Sequence, residues 1–241
     1  MLISRRGALA RTGRVALGWA AALSPRGKRP WKVVVTGGHP GDPECGCAGT
    51  IARYVAAGHQ VTLLYLNRGE GYCGREEPGR CAAIRTREAE QACAALGARA
   101  LFAGQVDGQA VVDPGHYRSF AELLDAQHPD VVFTQWPLDS HRDHRAVAAL
   151  TLDAWLAAQK RFALYYYEVA EDTLDFVPDL YVDISSVEAR RRAACFAHAS
   201  QQPERWYPLQ REITRRRGAE SGHAEAEAFR RQTPAGQALL P

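Results

Sequence analysis

The sequence predicts an α/β fold: one domain built on a mostly parallel sheet of five to six strands, with helices on both faces. Three observations predict it. Short β-branched apolar runs alternate with longer helical patterns from residue 31 onward, the rhythm of repeated strand–helix units joined by right-handed crossovers. Gly58 and Gly97 close two of the helical patterns, as C-terminal stops do. Two apolar runs lead at once into turns rich in histidine and aspartate. In an open α/β sheet such turns line one crevice at the carboxyl ends of the strands, where ligands bind.

The elements follow in order. Residues 32–36 form the first strand, and residues 47–57 a helix ended by Gly58. Residues 60–66 are a β-branched second strand, followed by a Gly-rich loop over 67–80. A long helix over 82–96 stops at Gly97, and residues 100–103 form a short third strand. Residues 117–126 are helical and 130–134 form the fourth strand. The helix over 142–159 has Asp139 or Ser140 available as N-cap. Residues 163–168 and 180–184 read as fifth and sixth strands, with a helix over 186–199 after the sixth. The last forty residues are polar and Arg-rich, with a short helix expected at 224–231. The result is a Rossmann-like three-layer domain. It lacks the G-x-G-x-x-G fingerprint at the first strand–helix turn, which argues against dinucleotide binding.

That first turn carries Gly38-His39-Pro40-Gly41-Asp42-Pro43-Glu44 instead, and the fourth strand leads into His141-Arg142-Asp143-His144. His39 and Asp42 sit three apart in one turn, and His144 reaches in from a second strand end. Two imidazoles and a carboxylate make an open N/O site that suits zinc and leaves a fourth position for water. His141, one helical turn from His144, is free to donate a proton to a leaving amine or to steady an oxyanion. Asp143 can hold one imidazole in the required tautomer.

At these residues the chain resembles the zinc-dependent de-N-acetylases related to N-acetylglucosaminyl-phosphatidylinositol deacetylase, the PIG-L/LmbE-like family. The family's first motif, His-Pro-Asp-Asp followed by Glu and Gly-Cys-Gly-Gly-Thr, corresponds to residues 39–50, and His-x-Asp-His is intact at 141–144. Asn67-Arg68-Gly69-Glu70, Arg85-Thr86-Arg87-Glu88, Asp107-Gly108, Ser200-Gln201 and residues 224–229 extend the match over roughly 32–232. The resemblance implies metal ligands His39, Asp42 and His144, with Zn2+ as cofactor and other divalent metals such as Fe2+ compatible with the same set. It implies His141 and Asp143 as catalytic residues, Asp143 supporting His141. Arg85 and Asp107 match positions that contact sugar hydroxyls. The substrate implied is an N-acetylated amino sugar or glycoconjugate.

One position departs from the family. The first aspartate of its Asp-Asp pair, the usual general base, is Gly41 here. Glu44 or Asp139 reaching the water, His141 serving as both base and acid, or a slow, altered or purely binding protein are the readings left open. Glu44 has a simpler role available, as a carboxylate at a helix N-terminus. A non-catalytic zinc- or sugar-binding member of the same fold is the competing reading.

Composition bounds the rest. The 241 residues carry 46% hydrophobic and 24% charged residues and a formal charge of +3, an ordinary globular balance that gives no reason to expect nucleic acid. The Arg-rich stretches 190–192 and 215–217 read as solvated helix faces. Cys45, Cys47, Cys93 and Cys195 read as packed core residues, while Cys73 and Cys81 flank a polar loop and are placed to pair if the protein is exported. Residues 1–30 read as a basic leader, and Ser4-Arg5-Arg6-Gly7-Ala8-Leu9 resembles a twin-arginine export signal; the alternative location is cytoplasmic. Residues 31–232 are the deacetylase-like domain and 233–241 a tail. No segment reaches the roughly 20 apolar residues of a membrane span, and oligomeric state is not legible.

Overall fold

The computed structural model describes residues 29–170 and 172–232. The expected basic leader with its twin-arginine-like stretch, apart from residues 29 and 30, and the expected tail fall outside the described residues. The parallel part of the sheet comprises β1 (Lys32–Gly37), β2 (Gln60–Tyr65), β3 (Arg99–Phe102), β4 (Val131–Gln135) and β5 (Ala163–Tyr167). Two further strands, β6 (Leu180–Asp183) and β7 (Ala226–Arg231), complete the order β3-β2-β1-β4-β5-β7-β6. β7 runs antiparallel to both β5 and β6. The sheet thus has seven strands, one more than the upper expectation.

Helices cover both faces. α1 (Asp42–Ala56) and α2 (Pro78–Leu96) pack with Val33, Val35, Leu63 and Phe133 on one side. α3 (Pro114–Asp125) and α4 (Arg142–Ala157) pack with Val34, Leu64, Val132 and Leu164 on the other. Alternate residues of each strand therefore enter opposite cores, which is why these strands read as continuous apolar runs. Cys45, Cys47, Cys93 and Cys195 are buried thiols, and Cys73 is disulfide-bonded to Cys81.

α1 starts five residues before the expected 47. Pro43 occupies the first turn, and the Glu44 side chain accepts from the Gly41 N–H at 3.0 Å in a capping box. These end contacts and burial outweigh the weak helix propensity of the Gly-Cys-Gly stretch.

The C-terminal region departs most from expectation. In place of a short helix at 224–231 there is a 19-residue helix, α6 (Pro203–Ser221), and then strand β7. β7 hides its pattern because Glu227 faces the core, where its carboxylate accepts from the N–H groups of Gly49 and Thr50 at 2.8 and 2.7 Å. The helix expected over 186–199 is shorter, α5 (Glu188–Phe196), flanked by 3-10 turns. Nor are the arginine stretches wholly solvated. Arg191 is fully buried beside Glu227, and Arg217 is buried in a two-pronged pair with Glu168 at 2.6 and 2.8 Å. A guanidinium enters a core when carboxylates accompany it.

Candidate metal centre

The carboxyl ends of β1 and β4 lie side by side in parallel register, Val35 opposite Phe133. The Gly38 N–H donates to Gln135 Oε1 at 2.8 Å, tying the two exits together. This neighbourhood brings residues about a hundred positions apart into one cluster. The ring centroids of His39 and His144 are 5.3 Å apart, and that of His141 is 4.6 Å from His39 and 4.7 Å from His144. A Cβ at position 38 would sit 2.9 Å from the His144 ring, so a larger residue there would force the imidazole to shift.

Asp42 is the hinge of the cluster. Its Oδ2 lies 3.1 Å from His39 Nδ1 and 3.1 Å from His144 Nε2. Donors on one tetrahedral zinc, each about 2.0–2.2 Å from it, are separated by about 3.3–3.5 Å, close to the spacing of the Asp42 oxygen from each of the two nitrogens. The opposite ring nitrogens are held by carboxylates. His39 Nε2 is 3.0 Å from Asp107 Oδ1 and 3.2 Å from Asp143 Oδ2, and His144 Nδ1 is 3.0 Å from Asp139 Oδ1. Metal-binding imidazoles are oriented in this way, one nitrogen toward the ion and the other N–H toward a carboxylate. The donor set of two nitrogens and an oxygen, set among three further aspartates, fits a divalent cation.

Two donor sets close to within 4.8 Å on every side: the three imidazoles, and His39 with Asp107 and Asp143. The second uses His39 Nε2, and its carboxylates are already engaged. Asp107 Oδ2 accepts from Gly71 N at 2.9 Å, and Asp143 Oδ2 from Asn67 Nδ2 and Gly108 N at 2.9 and 2.8 Å. These groups fit the task of holding His39 better than that of holding an ion themselves.

The charges agree with this assignment. Burial works against a protonated His39 or His144, but Asp42 and the flanking carboxylates outweigh it, raising His144 to about 9 and His39 well above its usual range. Burial likewise opposes ionisation of Asp107, yet its hydrogen bond to His39 and the charge there hold it at about 2. His141 is shifted downward by burial and by the neighbouring His39 and His144 charges.

The structure corrects several expectations. Neither Asp139 nor Ser140 caps α4; the cap is His141, whose Nδ1 accepts from the Asp143 N–H at 3.2 Å. Asp143 supports His39 rather than His141: its Oδ2 lies 3.2 Å from His39 Nε2. Arg85 is buried, its guanidinium donating to the carbonyls of Pro40 and, at 3.5 Å, Gly69. With Asp107 turned onto His39 and Gly71, both groups assigned to sugar hydroxyls are occupied by internal contacts. Glu44 cannot serve as base. It is fully buried, accepts from Gly41 N and from the Tyr65 hydroxyl at 2.6 Å, and lies 3.0 Å from His198 Nε2. Asp139 is committed to His144, to the His141 N–H and to the Thr173 hydroxyl.

Sequence reasoning missed Asp139 as the partner of His144. Its signal was the Asp-Ser-His spacing, an Asx turn in which the side chain accepts from the N–H two residues on. It also missed His198, whose only trace was its place just before the Ser200-Gln201 segment.

Fold and site together define an α/β protein with an imidazole–carboxylate cluster of metal-binding chemistry at the sheet's ligand crevice. A sequence model of the GlcNAc-PI de-N-acetylases (PIG-L) matches residues 34–155, just over half of the chain, and the chain belongs to that family. Solved structures agree. The conserved protein TT1542 from Thermus thermophilus is 29% identical with a TM-score of 0.74, the match covering 86% of this chain and 97% of that one. The N,N'-diacetylchitobiose deacetylase from Pyrococcus horikoshii shares the fold at 24% identity and TM-score 0.74, with 83% of each chain covered. So does the 4-carboxy-2-hydroxymuconate hydratase of Pseudomonas putida, at 21% identity and TM-score 0.78, covering 88% of this chain and 100% of that one.

Proposed function

We propose that the chain is a zinc-dependent de-N-acetylase that removes an acetyl group from an N-acetylated amino sugar or glycoconjugate, with His39, Asp42 and His144 as the ligands. The observation that carries this reading is the single Asp42 oxygen 3.1 Å from both imidazoles, each backed by a carboxylate. Zinc in such a site polarises a carbonyl and lowers the pKa of water from 15.7 to about 7.

The chain's own residues supply orientation and a hydrogen-bond donor. Asp139, Asp107 and Asp143 fix the ring planes of His144 and His39. Because His141 Nδ1 accepts from a backbone N–H, its neutral ring carries the proton on Nε2. That N–H can steady the developing oxyanion, while the proton the departing amine needs comes from the attacking water, because a neutral ring that gave up its single Nε2 proton would be left as imidazolate. The same tautomer disfavours His141 as base, since its free lone pair is already committed to the cap. Position 41 provides no carboxylate, and Glu44 and Asp139 are engaged elsewhere. Turnover is therefore expected about 10²–10⁴-fold below that of a site with a carboxylate base.

Gly41 also favours a second reading, a zinc- or sugar-binding protein without turnover. Acetate release from N-acetylated amino sugars by the zinc-loaded chain, compared with its His144→Ala variant, separates the two. Release that depends on His144 supports the hydrolase; none with zinc bound supports the binder.

A further inference from the structure

We propose that the amino end of the sheet, opposite the metal cluster, holds a binding site for a small oxyanion, a phosphate group either free or carried on a larger molecule; this is independent of the deacetylase reading. Just past the end of α3 a cavity of about 130 Å³ opens against the starts of β1, β2 and β3. At ~30 Å³ per water it has room for about four waters, or for one tetrahedral oxyanion in their place. Strand register explains the lining. Gln60 stands opposite Lys32, and Thr62 stands opposite both Val34 and Arg99. Side chains alternate between the faces of a sheet, so Lys32, Gln60, Thr62 and Arg99 share the face of Val34, the one covered by α3 and α4. Further along that face Val34, Leu64 and Val132 lie beneath the helices; at this edge polar groups take their place.

These groups are unspent. Thr62 is only 5% exposed, yet its hydroxyl has no hydrogen-bond partner among the described residues. Leaving such a group unpaired is costly, and a ligand oxygen would relieve it. Lys32 and Arg99 form no ion pair with a carboxylate among the described residues, and no Asp or Glu lines the cavity. Arg99 Nη2 donates to Gln127 Oε1 at 2.5 Å, and Gln127 Nε2 donates to the Leu123 carbonyl at 3.1 Å, so the guanidinium is tied to the cavity wall. The acids at this end are engaged elsewhere. Asp130 accepts from the Arg29 guanidinium at 2.6 and 2.8 Å and from the Lys32 N–H at 2.8 Å, and Asp125 pairs with Arg161 at 2.5 Å. Two cations without counter-charges and a hydroxyl donor match an oxyanion, which accepts charge-assisted hydrogen bonds on several oxygens at once. The same lining repels a metal ion. β1 runs for six residues between this cavity and the His39 turn, about 20 Å at the strand rise, so the two sites share no ligand.

Calorimetry tests this by titrating inorganic phosphate, and separately a hexose phosphate, into the full chain and its His144→Ala variant at constant ionic strength. One phosphate group per chain should bind in both, because the site owes nothing to the metal cluster. At ten times the Kd the bridged strands should melt about 3–6 °C higher. Lys32→Gln and Arg99→Gln should each weaken binding about tenfold or more. Thr62→Val should weaken it severalfold while the unliganded Tm stays at or above the parent's, since the hydroxyl removed has no partner. Arg118→Gln, which deletes an exposed charge elsewhere on α3, should change neither. Hexose phosphate binding with the same sensitivities assigns the site to a phosphate on a larger molecule; inorganic phosphate binding alone assigns it to the free ion. No saturable binding of either, binding lost in His144→Ala, or an affinity that the Lys32, Thr62 and Arg99 variants leave unchanged overturns the proposal.

Discussion

Restoring a carboxylate at position 41 sets two opposing terms against each other. Gly41 has φ 108° and ψ −32°, a backbone state that residues with a Cβ rarely adopt. Holding aspartate there costs about 1–3 kcal/mol of strain. Loss of glycine's freedom in the unfolded chain offsets about 0.4–1 kcal/mol of this. Space is not the obstacle, because the nearest atoms to a new Cβ are His198 ring carbons at 3.9 Å. For a chain of this size each kcal/mol moves Tm by about 2–4 °C, so Gly41→Asp should melt lower, by up to about 10 °C. If the absent base limits turnover, acetate release should rise by as much as about 10²–10⁴-fold. Calorimetric melting and kcat would be measured at matched zinc content. A Tm at or above the parent's would refute the backbone argument. An unchanged kcat in a folded, metal-loaded variant would show that proton transfer to a base is not what limits this chain.

Other outcomes follow from the same contacts. His144→Ala should lose tight zinc, and elemental analysis still finding one zinc per chain would sink the ligand assignment. Asp139→Asn removes the charge behind His144 but keeps the shape, and should weaken zinc affinity about 10–100-fold; affinity equal to the parent's by competition with a chelating dye would contradict its orienting role. The metal-free His144 titrates near 9 and a ligand must be unprotonated, so zinc affinity should rise with pH from 6 to about 9, with protons released on binding. Calorimetric heats that do not vary with buffer ionisation enthalpy would count against this. Cys73→Ser opens a disulfide spanning 8 positions, a loss of about 2–3 kcal/mol in the chain-entropy treatment. Because Cys73 anchors the segment between β2 and α2, which also carries Asn67 and Gly71, holders of Asp143 and Asp107, zinc affinity should fall as well as Tm; a lower Tm with unaltered affinity would separate the segment from the site.

The sequence by itself determined the parallel strand–helix frame and the two strand exits where His39, Asp42, His141 and His144 emerge. Both are local signals, an apolar run stopped by a turn and a short spacing of polar residues, and neither needs a partner to be read. Tertiary structure alone decided which groups touch. Asp143 turned to His39, Asp139 to His144, and Glu44 into the core with Tyr65 and His198, because strand register and helix packing, not distance along the chain, choose a carboxylate's neighbour. The same holds for β7 and α6. Glu227 and Arg217 look solvent-facing in sequence, and only their buried partners, the Gly49 and Thr50 amides and Glu168, make the core side of those elements tolerable. A buried charge is stable only where its counter-groups are already in place, and those groups come from elements more than forty residues away.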